Sequence, residues 1–222
     1  MQTVIDEHIA EQVAELLLSI GAVSFNVKKP FRYTSGILSP MYTDNRLLIS
    51  YPHVWQQIIG FYAAVMEKAE FKQKIDCLSG TATAAIPHAA GLAYKLHLPM
   101  VYVRSSKKEH GKENQIEGTF PTGSHVLVIE DLISTGKSIK VNCDAIREAG
   151  GIVDTCLAIT TSTMHAYEPI VQELGVRLIT LSNVTKTLEV AVASKRITNE
   201  ERTSVESFLA DPPGWGKKMG FE

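Results

Sequence analysis

Apolar positions along the chain follow two rhythms. Ile5, Ile9, Val13, Leu16, Leu17 and Ile20 recur at helical spacing, and Gly21 follows as a stop signal. The same spacing predicts helices over 54–66, opening just after Pro52, and over 84–96, with the small face Ala85, Ala89 and Ala93. It predicts further helices over 137–149, stopped by Gly150 and Gly151, and over 168–174, with helical pattern again over 183–210. Short apolar runs at 75–78, 99–103, 124–129, 153–159 and 176–181 read as strands. Val126, Leu127, Val128 and Ile129 are continuously apolar, as a strand covered on both faces must be. Strands alternating with helices predict an α/β fold, a mainly parallel central sheet flanked by helices. The whole chain, 1–222, reads as one domain. Residues 1 to about 50 and part of 183–222 are expected to build a small hood beside the sheet. The tail 211–216, rich in Pro and Gly, is expected to be irregular.

Composition narrows the class without naming a chemistry. Hydrophobic residues are 45% of the 222, enough for a real core, and 22 basic against 24 acidic residues leave a net charge of −2. That balance speaks against a nucleic-acid binder and against a disordered chain. No apolar run approaches the ~18–20 residues of a membrane span. Asp6 and Glu7 stand where a secretion signal would be basic and then apolar. Cys77, Cys143 and Cys156 form no C-x-x-C pair and are expected as buried free thiols in a reducing cytoplasm. The histidines are scattered, with no pair at metal-ligand spacing, and Trp55 and Trp215 read as packing residues.

The chemistry concentrates at 126–138. A buried strand reaches two adjacent carboxylates, Glu130 and Asp131, then a turn with Ser134, Thr135 and Gly136, then a helix opening at Lys137 and Ser138. Free N–H groups at such a turn attract an anion, aided by the helix dipole. Gly136 lets the backbone approach it, and the hydroxyls of Ser134, Thr135 and Ser138 add donors. Glu130 and Asp131 suit the vicinal hydroxyls of a ribose, because adjacent carboxylates at a strand end cost stability unless donors answer them. An ordinary strand–turn–helix capped by Asp131 or Ser134 fits the same spacing. A second cluster, Arg104, Lys107, Lys108, His110 and Lys112, lies among small and polar neighbours. It reads either as a solvated loop or as a lid folding cations over a diphosphate.

The 126–138 segment resembles the phosphoribosyl-pyrophosphate signature of type I phosphoribosyltransferases. Three more segments narrow the resemblance to the orotate phosphoribosyltransferase family: 31–46 looks like its orotate-side segment, 79–87 like its pyrophosphate loop, and 102–118 like its mobile catalytic loop. The resemblance implies transfer of phosphoribose from phosphoribosyl pyrophosphate to orotate, with Mg²⁺ held mainly by substrate and no protein metal site. It implies a homodimer whose loop 104–117 acts in trans. By position, Arg104, Lys108 and His110, together with Glu130, Asp131, Leu132, Ile133, Ser134, Thr135, Gly136, Lys137 and Ser138, correspond to phosphoribosyl-pyrophosphate contacts. Lys108, His110, Glu130 and Asp131 are the candidate catalytic groups. Ser134 also corresponds to an orotate contact, and Arg46 or Lys28 is a candidate for the orotate carboxylate. Three positions depart from many members: Ser105 replaces a second loop cation, Ala84 a pyrophosphate-loop lysine, and 159–165 lacks an arginine. A purine-base enzyme of the same fold would carry a different hood segment than 35–46. A regulator would add a basic helix-turn-helix, which 1–30 lacks.

Overall fold

The computed structural model describes residues 2–4, 6–67, 75–105, 115–163 and 165–221. In chain order the elements begin with β1 (Gln2–Val4), α1 (Glu7–Ser19), β2 (Val23–Phe25), β3 (Phe31–Arg32), β4 (Leu38–Ser39) and β5 (Met41–Thr43). A 3₁₀ turn (Asn45–Ser50), α2 (Pro52–Met66), β6 (Cys77–Thr81), α3 (Ile86–Leu96), β7 (Met100–Val103), β8 (Ile116–Glu117) and β9 (Val126–Ile133) follow. The rest are α4 (Lys137–Glu148), β10 (Thr155–Thr161), α5 (Glu168–Leu174), β11 (Arg177–Thr180), α6 (Val184–Ala193), α7 (Asn199–Ala210) and α8 (Pro212–Lys218).

A seven-stranded sheet runs in the order β1-β11-β10-β9-β6-β7-β8. Every pairing is parallel except β7–β8 at the edge. Alternation along the central strands sends side chains to two cores. Leu127, Ile129, Leu157, Ile159 and Ile179 join the core beneath α1, α2 and α3. Val126, Val128, Cys156, Ala158 and Leu178 join the core beneath α4 and α5. A sheet buried on both faces explains the unbroken apolar run in β9.

Several expectations shift. β9 does not stop at the carboxylates. It runs through Glu130 and Asp131 to Ile133, because Leu132↔Thr160 and Ile133↔Thr161 continue its ladder with β10. The backbone pairing is indifferent to side-chain polarity there. β6 likewise begins at Cys77 and runs to Thr81. Residues 2–4 pair with β11 in the main sheet, outside the expected hood.

The tail is helical, not irregular. The Asp211 side chain accepts from Gly214 N–H, and prolines sit in the first helical turn, where their missing N–H costs nothing. Trp215, 1% exposed, anchors α8 and donates its Nε1–H to Ser204 O at 3.0 Å. Rings link this helix to the N-terminal hairpins: Trp215 meets Phe208, Phe208 meets Tyr33, and Tyr33 meets Tyr42. Truncating that anchor leaves a large cavity. Trp215→Ala is expected to cost about 3–5 kcal/mol in urea unfolding. A loss under about 1 kcal/mol would show that α8 does not support the fold.

Candidate active site

The C-terminal ends of β6, β7 and β9 bring three of the sequence segments together. A cavity of about 230 Å³ is lined by Thr81 at the end of β6 and Ala82 after it, Arg104 after β7, and Lys137, Ser138 and Asn142 of α4. Ligands in open α/β sheets occupy this end of the strands. Arg104 sits at the base of the cationic segment. Its N–H donates to Gln115 O at 3.0 Å, and Gln115 Nε2 donates back to Arg104 O at 2.7 Å. Its guanidinium lies 3.7 Å from Glu117. Lys107, Lys108, His110 and Lys112 lie outside the described residues.

The start of α4 carries no side-chain cap. Gly136 is its N-cap at φ +79, and no side chain caps the first turn. The other described helices open on a side-chain cap or a proline in the first turn. α4 has neither, so its leading N–H groups have no capping side chain of their own. A side chain at Gly136 would also press on Ile170, 3.3 Å from the position of its Cβ. Ser134, Thr135, Lys137 and Ser138 are exposed around it, and Ser134 O accepts from Thr163 Oγ1 at 2.9 Å.

Glu130 and Asp131 are 4% and 8% exposed. Glu130 Oε2 accepts from Ser138 Oγ at 2.8 Å, and its Oε1 accepts from Asp131 N–H at 3.1 Å. Burial pushes the Glu130 carboxyl well above the usual range, and the adjacent Asp131 charge pushes it further. Burial also raises Asp131, but a hydrogen bond from Glu130, backbone donors and the field of Arg46 pull it back. Both carboxyls are held above their usual range, Glu130 the further of the two, so a proton held by the pair favours Glu130. The hydroxyl of Ser138 is therefore spent on Glu130.

Arg46 is exposed and forks onto Asp44, with Nε–Oδ1 2.6 Å and Nη2–Oδ2 2.8 Å. The neighbouring Asn45 donates to Asp131 O at 2.7 Å, which places this turn beside the acidic pair. Lys28 is exposed on the turn after β2, and no described contact joins it to these groups. Leu132 and Ile133 continue β9.

Local patterning missed a shell of buried polar groups. Ser79 Oγ donates to Asn142 Oδ1 at 2.7 Å, and Asn142 Nδ2 donates to Thr81 Oγ1 at 3.0 Å. This chain ties the end of β6 to α4. His88, fully buried, accepts from Trp55 Nε1 at 3.0 Å, and burial pushes its pKa down to about 4, so it stays neutral. Cys77, Cys143 and Cys156 are buried and free, with Cys143 Sγ 3.7 Å from Cys156 Sγ. Among the described residues no three His, Cys, Asp or Glu side chains converge as a metal site, and no helix is long and apolar enough to cross a membrane.

The raised Glu130 carboxyl has a stability signature. The unfolded chain loses that proton near 4.5 while the folded chain keeps it to higher pH. Between those values the folded state binds more protons, so stability falls as pH rises. Glu130→Gln, which keeps a neutral donor in place, is expected to flatten this fall. Urea midpoints between about pH 4.5 and 8.5 would read it, and equal slopes in both proteins would refute it.

Comparison with known proteins agrees with this geometry. Residues 51–195 match the family model described as phosphoribosyl transferase domain. The Coxiella burnetii orotate phosphoribosyltransferase is 43% identical over 206 residues, covering 93% of this chain and 98% of that protein. A Listeria monocytogenes relative of the same name is 46% identical over 209 residues, covering 94% and 99%. Among solved structures, the Aeropyrum pernix orotate phosphoribosyltransferase superposes with a TM-score of 0.67 at 28% identity, over 80% of this chain and 97% of that one. Leishmania donovani UMP synthase superposes with a TM-score of 0.76 at 27% identity, over 90% of this chain but only 42% of that longer one. With near-complete coverage of such relatives and the mostly parallel sheet they share, the chain belongs to the orotate phosphoribosyltransferase family.

Proposed function

We propose that the protein transfers phosphoribose from 5-phosphoribosyl 1-pyrophosphate to N1 of orotate. The products are orotidine 5′-monophosphate and pyrophosphate, a step of pyrimidine nucleotide synthesis. The observation that carries this reading is the uncapped start of α4 set directly after a buried Glu–Asp pair. The N–H groups of 134–138 would take the 5′-phosphate, with Lys137 adding charge. The Asp131 carboxylate would accept from a ribose hydroxyl. Arg104 and the loop after β6, which share one cavity with α4, would face the diphosphate.

Departure of pyrophosphate leaves positive charge on the ribose ring and builds negative charge on the leaving oxygen. Catalysis then calls for placement and electrostatics, with little covalent help. Asp131 puts one negative charge beside the cationic sugar while Glu130 stays neutral. Lys108 and His110 would cover the diphosphate and exclude water from the activated sugar. Orotate is already anionic, so no dedicated base is assigned. Its carboxylate would meet Arg46 in preference to Lys28, because the turn of Arg46 is joined to Asp131 through Asn45.

The donor set fits Mg²⁺ that arrives with its substrate. Both Glu130 oxygens already accept hydrogen bonds, which leaves Asp131 as the near carboxylate. Bound there with the diphosphate, Mg²⁺ would neutralise charge on the leaving group. We also assign a cytoplasmic homodimer with loop 104–117 acting in trans. Leu47, Ile49 and Tyr51, all exposed on and beside the 3₁₀ turn, give apolar side chains suited to a second copy.

Asp131→Asn should lower kcat by about 100-fold or more with the fold intact, followed by orotate absorbance. Wild-type rates would end the ribose assignment. Mixed and exchanged Lys108→Ala and Asp131→Asn subunits should regain about a quarter of wild-type activity, since a heterodimer rebuilds one intact site. No recovery despite proven exchange would refute the loop acting in trans.

A further inference from the structure

We propose that Asn45 and Tyr62 are positioning residues that set the aim of Asp131, an inference resting on the ribose role given to Asp131 above. The pairing of β6 with β9 ends at Gly80↔Ile129, yet β9 runs on to Ile133. Past that point side chains from three elements reach three successive carbonyls of β9. Thr81 Oγ1 donates to Ile129 O at 3.2 Å, Tyr62 Oη to Glu130 O at 2.8 Å, and Asn45 Nδ2 to Asp131 O at 2.7 Å.

The last two contacts bracket one residue. The Glu130 carbonyl belongs to the peptide plane before the Asp131 Cα, and the Asp131 carbonyl to the plane after it. Peptide planes are rigid, so holding both leaves the backbone of Asp131 little freedom. The direction of its Cα–Cβ bond follows, which limits its carboxylate to the few staggered positions about that bond. The two donors arrive from α2 and from the hood turn, so both supports must be in place for Asp131 to face the sugar.

Neither residue is explained by stability alone. Tyr62 is fully buried, where Phe would fill the same space without a hydroxyl to satisfy. Asn45 is 1% exposed, and its Oδ1 is buried with no partner among the described residues. The 3₁₀ turn is already capped by Asp44, whose Oδ1 accepts from Arg46 N–H at 3.1 Å, so Asn45 is not needed there. An unpaired buried acceptor is unfavourable, and what the amide provides in return is the bond to Asp131 O.

The test is a mutant cycle on the full-length enzyme with Mg²⁺, phosphoribosyl pyrophosphate and orotate. Asn45→Ala and Tyr62→Phe should each lower kcat about 10-fold or more, with KM for phosphoribosyl pyrophosphate moving less than about threefold. In the Asp131→Asn background each should cost less than about twofold, because a residue acting through Asp131 has nothing left to aim. Thermal unfolding of each variant checks the fold, and Tyr62→Phe carries the test if Asn45→Ala does not fold. Unchanged kcat in both variants beside a slow Asp131→Asn refutes this proposal alone. Full losses that multiply with Asp131→Asn also refute it. Wild-type rates for Asp131→Asn would refute the ribose role and this proposal with it.

Discussion

Two carboxyls withdrawn from water at the end of one strand set the terms for their surroundings. Both cannot be charged in that position without a large desolvation and repulsion cost, so their environment separates them. Glu130 keeps a proton and accepts from Ser138 and from the Asp131 N–H. Burial raises Asp131 less far, because a hydrogen bond from Glu130 and backbone donors favour its charged form. The Ser138 hydroxyl, in the first turn of α4, donates to Glu130. An acidic pair and an anion-receptive helix start thereby become one unit, each requiring the other's arrangement.

Around that unit the fold supplies rigidity from both faces of the sheet. α4 is tied to the end of β6 through Asn142, Ser79 and Thr81, a buried chain in which each member finds a partner. Fully satisfied networks of this kind hold one geometry. The 3₁₀ turn, through Asn45, and α2, through Tyr62, reach the same strand from the other direction. Segments distant in sequence therefore share one strand end as their common reference.

Much of this was legible in the chain, for identifiable reasons. The helix pattern from Ile5 to Ile20 and the Val126–Ile129 run follow directly from amphipathic and fully buried periodicity. The anion-receptive turn was readable because Gly136 and the neighbouring hydroxyls sit beside it in sequence. Glu130 and Asp131 were misread as the end of their strand because side-chain polarity was taken as a boundary, whereas the ladder with β10 is made by backbone. Pro212 and Pro213 were read as breakers although proline is welcome in a first helical turn. Asn45 and Tyr62 lie 86 and 68 positions from the carbonyls they hold, and no local pattern marks a side chain whose partner is a distant main-chain oxygen.

The ring contacts that join Tyr33 to Phe208 and Phe208 to Trp215 bear on the order of assembly during synthesis. The central strands can pair as soon as β11 has emerged. The hairpins beside the 3₁₀ turn wait for partners about 170 residues further along the chain, which makes them the slow, late contacts of the fold. A ribosome-bound chain that has completed its sheet would thus hold its acidic pair before it holds the surface meant to sit over it. On this ordering, the end of β9 is paired with β10 before the Asp131 carbonyl receives its donor from Asn45.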